Sequence, residues 1–181
     1  MFDHDTLETN TWQSSLCRGN IVLFRFPEID SVTDAPKTRP CLVLEVGGND
    51  GQKVAKLAYG TSARTGANRG YEIWVKRRSS MAIAGLDRPT RFVGARTTIV
   101  SLNHPDFELG VQASPIIGYL DDFLCERMHA VRARLQAEHD IYLEVRDEKW
   151  KERLRWQQET GALANRHPRK TIWSNKSEDA V

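Results

Sequence analysis

Two short apolar runs, Ile21-Val22-Leu23-Phe24 and Cys41-Leu42-Val43-Leu44-Glu45-Val46, flank a polar, acidic stretch over residues 28–37. Both runs are rich in β-branched and aromatic residues and end in turn-forming residues, Phe26-Pro27 and Gly47-Gly48. That pattern predicts two strands. The stretch between them is far longer than a hairpin needs, and long loops inside compact domains are functional or disordered. Arg39 stands at the mouth of the second run, directly before Pro40. A residue before proline is driven to extended geometry, so this guanidinium projects from stiff backbone. It suits a phosphate, and equally a structural salt bridge.

Further runs follow at close spacing. Residues 54–59 alternate as a third strand closed by Gly60-Thr61-Ser62, and residues 63–70 form a loop with Arg64 and Arg69. Residues 71–75 read as a fourth strand with a basic exit, and 81–89 as a connection with room for one helical turn. Residues 91–93 and 96–102 read as a fifth strand bent at Gly94, since a lone strand glycine often marks a bulge. Asn103-His104-Pro105-Asp106 is turn chemistry, and 116–120 a last short strand. Short, closely spaced strands favour a small barrel.

Helical spacing begins with Phe123, Leu124, Met128, Val131 and Leu135, where Asp121 or Asp122 can cap the first turn. Residues 143–159 read as a second, highly charged helix stopped by Gly161. The expected organisation is a flexible arm (1–17), a β-rich domain (18–138), a charged helical extension (139–164) and a disordered basic tail (165–181).

Composition excludes several classes. At 181 residues, 40% hydrophobic and 28% charged, the chain has the make-up of a soluble globular protein. No apolar run approaches membrane length, and Asp3, Asp5 and Glu8 give the N-terminus the wrong sign for a signal peptide, so a cytoplasmic location is expected. Cys17, Cys41 and Cys125 lack metal-ligand spacing and read as buried free thiols; neither metal nor cofactor is expected. The net charge of +2 divides unevenly, with +5 on residues 18–120. A basic β-rich part suits a polyanionic partner.

Arg18-Gly19-Asn20-Ile21-Val22-Leu23, then Phe26-Pro27, then Lys37-Thr38-Arg39-Pro40-Cys41-Leu42-Val43-Leu44 resembles the opening signature of the MazF/PemK family of toxin endoribonucleases. The resemblance covers residues 18 to about 138. It implies an α+β, β-rich fold: a small SH3-like barrel with a C-terminal amphipathic helix, here extended by the charged helix. It further implies a sequence-specific, metal-independent endoribonuclease that cuts single-stranded RNA to a 2′,3′-cyclic phosphate. The implied partners are RNA, a second copy in a homodimer, and an antitoxin protein, with no membrane involved. The alternative is a catalytically inactive module of the same fold that binds nucleic acid or protein.

The chemistry of such a cleavage needs a proton acceptor for the 2′-hydroxyl and cationic or donor groups for the phosphorane-like state. Arg39 matches the arginine of the family's arginine-proline motif and is the expected phosphate ligand. Asp34 falls where some members place a catalytic loop glutamate, and otherwise reads as a solvated loop acid; Glu28 and Asp30 are weaker candidates. Thr61 and Ser62 resemble a family threonine-serine pair, with a turn cap as the structural alternative. Arg91 sits where some members carry a cleavage arginine, although Val93 replaces the aspartate that accompanies it there. Arg18, Arg64 and Arg69, with Tyr71 and Trp74 nearby, complete the expected RNA-binding set; such aromatics are also common core residues. His104 is a further proton carrier or a simple turn residue.

Overall fold

The computed structural model describes residues 12–29, 36–49, 52–110 and 113–166, with backbone alone at 28–29, 49 and 161–166. Its chain divides into two compact units, residues 1–137 and 138–181. The first holds a six-stranded antiparallel sheet in the order β4-β5-β3-β2-β1-β6. Its strands are β1 (Asn20–Ile29), β2 (Pro36–Asn49), β3 (Gln52–Thr61), β4 (Glu72–Val75), β5 (Thr90–Ser101) and β6 (Ile116–Tyr119). Among the described residues the six strands form an open sheet ending in β4 and β6, without the closure expected of a barrel. The α+β class stands.

Alternation along β2 builds two cores, because successive side chains leave a strand on opposite faces. Cys41 and Val43 join Val22, Phe24, Leu57, Tyr59 and Val93 on one side. Leu42 and Leu44 join Ile21, Ala58, Ile73 and Phe92 on the other, where α3 (Asp122–Arg166) supplies Leu124, Met128 and Val131. Full burial of each such side chain contributes about 1.5–3 kcal/mol.

The fifth strand bends where the lone glycine predicted it. Ala58 lies opposite Thr97 while Tyr59 lies opposite Val93, so residues 94–96 bulge out of the ladder. Gly94 also seats α3. A β-carbon there would fall 2.7 Å from Val131 Cγ1 and 3.3 Å from Leu135 Cδ1.

Several local expectations are adjusted. The arm includes α1 (Trp12–Ser15), and the Trp12 ring lies 4.9 Å from that of Phe107. The connection before β5 holds α2 (Arg78–Ile83). One helix, α3 (Asp122–Arg166), replaces the expected two. Asp121 is its cap: Oδ1 accepts from the Leu124 N–H at 2.9 Å, and Oδ2 accepts from the buried Ser80 hydroxyl. Phe123 is exposed rather than part of the packed stripe, beneath the Arg77 guanidinium. Among the cysteines only Cys41 is fully buried, and Cys17 is exposed. The proposed tail beyond residue 166 lies outside the described residues.

Candidate functional site

Arg39, Thr61 and Ser62 line one cavity of about 270 Å3, together with Thr38, Pro40, Gly60, Asp87, Arg88 and Thr90. The β2–β3 register explains the meeting. Cys41 stands opposite Tyr59 and Leu42 opposite Ala58 at this end of the ladder, and Arg39 and Thr61 each lie two residues beyond its last pair. Gly60 lets the backbones come this close. A β-carbon at that position would fall 2.0 Å from the Pro40 carbonyl oxygen and 2.9 Å from the Phe92 ring.

The Arg39 guanidinium lies 5.4 Å from the Tyr59 ring centroid, and that of Arg96 lies 4.6 Å from the same ring. A cation over an aromatic face gains about 0.5–1 kcal/mol at an exposed site and about 2 when desolvated, which narrows the positions an otherwise flexible arginine samples. Tyr59 is itself buried and packs edge-on against Phe26. Thr61 Oγ1 accepts from the Ala63 N–H at 3.1 Å. The turn-cap role is therefore present, and the hydroxyl proton is still available for donation.

On the far wall, Arg88 Nη2 sits 3.1 Å from Asp87 Oδ2. The hydrogen bond and charge of Arg88 hold the Asp87 carboxyl below its usual range, which makes it a poor proton acceptor. Burial pushes the Cys41 thiol up to about 12, opposed by a backbone hydrogen bond at Gly60 and the Arg39 charge. That thiol stays protonated and inert.

Two expected RNA-binding arginines stand elsewhere. Arg91 is 4% exposed and forms a buried ion pair with Glu72. Its Nη1 also donates to the carbonyls of Thr65 and Ala67 at 3.2 and 3.1 Å, and Nη2 donates to Thr65 Oγ1. The assignment to RNA is corrected: Arg91 anchors the loop over residues 62–71. Arg18 Nε donates to the Leu44 carbonyl, roughly 17 Å along β2 from Arg39 at the usual strand rise. It does not reach the cavity.

Arg64 and Arg69 are exposed on the anchored loop. Trp74 is half-buried, bonded through Nε1 to Glu72 with Lys76 over its ring, and Tyr71 lies under Arg134. These contacts are structural. His104 lines a second cavity of about 300 Å3 with Phe24, Ile99 and Asp106; its Nδ1 accepts from the Asp106 N–H at 3.2 Å. It is separate from the Arg39 cavity. Asp34 and Asp30 lie outside the described residues, as does the side chain of Glu28.

Sequence reasoning missed Asp87, Arg88, Thr90 and Arg96. One signal was present: Arg88-Pro89 repeats the arginine-proline dipeptide that singled out Arg39-Pro40.

Among the described residues no group of His, Cys, Asp or Glu could hold a metal ion, and no helix is long and apolar enough to cross a membrane. What the fold and the site define is an α+β protein with an antiparallel sheet and an arginine- and hydroxyl-lined cavity at one end of the β2–β3 pair. No family model and no curated protein matches the chain.

Proposed function

We propose that this chain is a metal-independent endoribonuclease of the MazF/PemK type, built on an SH3-like arrangement of its six strands, and that the Arg39 cavity holds the scissile phosphate. The observation that carries the reading is the shared lining of Arg39, Thr61, Ser62 and Arg88. Two guanidinium groups and two hydroxyls outnumber the single carboxylate of Asp87 in that lining, and arginine forks and hydroxyl donors suit a phosphodiester.

In the proposed reaction the RNA 2′-oxygen attacks the adjacent phosphorus and gives its proton to an acceptor, here assigned to Asp34. Negative charge gathers on the non-bridging oxygens, where Arg39 and Arg88 stabilise it and Thr61 donates a hydrogen bond. The 5′-oxygen then leaves with a proton, and the other product ends in a 2′,3′-cyclic phosphate. The partners that go with this reading are single-stranded RNA, a second copy of the chain and an antitoxin.

A non-cleaving nucleic-acid-binding module is the second reading. It is favoured by the state of the one carboxylate in the cavity lining among the described residues, Asp87, whose acidity is raised by its arginine neighbour. Incubation of the chain with single-stranded RNA in excess chelator separates the two. The nuclease reading expects cyclic-phosphate ends, and expects one 2′-deoxy nucleotide at the cleavage point to abolish the cut. Retention of RNA without any cutting supports the second reading.

A further inference from the structure

Residues 138–160 of α3 carry an unusual load of large apolar side chains for so charged a helix. Ile141, Tyr142, Trp150 and Trp156 are each more than half exposed, and Val145 and Leu154 are exposed as well. At about 100° per residue, Ile141, Tyr142, Val145 and Trp156 fall on one arc roughly 100° wide. Lys149 and Glu152 sit on the same arc between them.

Charge is divided along the helix. Residues 138–148 hold five acids against one base, Arg146, while residues 149–159 hold four bases against two acids. We propose that this segment pairs with the same segment of a second copy of the chain, in antiparallel orientation. Antiparallel pairing lays the acidic half of each copy beside the basic half of the other; parallel pairing sets like charges together over the whole length. About a midpoint near Lys149 it also brings Trp156 of one copy into the gap between Tyr142 and Val145 of the other. Lys149 then lies beside Glu152 of the second copy, closing the centre with opposite charges. A membrane surface fits poorly, because helices that lie on membranes carry basic polar faces and the half bearing Ile141, Tyr142 and Val145 is acidic.

The test is sedimentation equilibrium of the full chain, with helix content followed by circular dichroism. Val145→Glu with Trp156→Glu is expected to weaken self-association by about tenfold or more, as loss of a buried tryptophan anchor does at other interfaces, and high salt weakens the wild type in the same direction. Two charge-reversed variants test the charge pairing, and the first also tests orientation because parallel pairing would be less repulsive in it than in the wild type: Glu144→Lys/Asp147→Lys/Glu148→Lys, and Lys149→Glu/Lys151→Glu/Arg155→Glu. Each is expected to self-associate less than the wild type, and an equimolar mixture to associate again. Unchanged self-association in the Val145/Trp156 variant, or a mixture no tighter than its components, overturns the proposal. Any association through the β-rich unit is common to every variant, so the difference from wild type is the readout.

Discussion

Arg39 and Tyr59 stand on adjacent strands with the guanidinium 5.4 Å from the ring centroid. The tyrosine is one residue back from Gly60, whose missing β-carbon lets β2 and β3 approach. Adjacent residues of β3 thus act on the cavity in different ways: Tyr59 backs the Arg39 charge and Gly60 sets the strand spacing.

Gly60→Ala is expected to destabilise the β-rich unit by about 3 kcal/mol. Its methyl group meets backbone at Pro40 and a buried ring at Phe92, and neither gives way cheaply. Chemical denaturation measures the loss; a change below about 0.5 kcal/mol, the usual scatter of surface substitutions, contradicts the close approach.

Arg91→Ala is expected to cost about 3–5 kcal/mol, the usual penalty for leaving one partner of a buried ion pair uncompensated. Glu72 and Arg91 side chains are only 10% and 5% exposed. Hydrogen exchange over residues 62–71 is expected to rise with it, because the loop loses its anchor. An Arg91 variant with wild-type stability and defective RNA binding contradicts the structural role.

Arg88→Ala is expected to leave stability unchanged, since its pair with Asp87 is exposed. RNA binding is expected to fall, with a weaker dependence on salt, by the loss of one phosphate contact. Equal affinity and an equal salt slope in the variant remove Arg88 from the site.

Asp121 ties pH to the seating of α3. Hydrogen bonds from Ser80 and the Leu124 N–H hold its carboxyl below the usual range. A depressed folded value means that the stabilisation is complete above the unfolded value of about 3.9 and is lost as pH falls through the folded value. Asp121→Ala is therefore expected to cost about 1 kcal/mol at neutral pH, and its difference from wild type to shrink below about pH 4. A constant difference across that range contradicts the cap.

How much of this was legible depended on range. Strands β1–β3 were readable from short apolar runs and their turn residues, and the bend of β5 from Gly94. The openness of the sheet was not, because closure depends on pairing between strand edges, which no local pattern specifies. The burial of Arg91 was hidden for the same reason: its partner Glu72 lies across a β4–β5 pairing. Two helices were expected where α3 is one, yet no glycine or proline occurs between Asp122 and Thr160. Without a breaker, helix propensity carries through such an interval. The cavity is half legible: both of its arginines stand in arginine-proline dipeptides, Arg39-Pro40 and Arg88-Pro89, while their meeting depends on the pairing of distant strands.

The double-mutant cycle on Arg39 and Thr61 tests the shared phosphate most directly. Cleavage rates are measured in chelator for wild type, Arg39→Ala, Thr61→Val and the pair, all confirmed folded. Two groups stabilising one transition state are expected to lose about 10²–10³-fold each, with the double variant falling far less than the product of the two losses. Losses that multiply in full, or single variants that cut RNA at the wild-type rate, contradict the account.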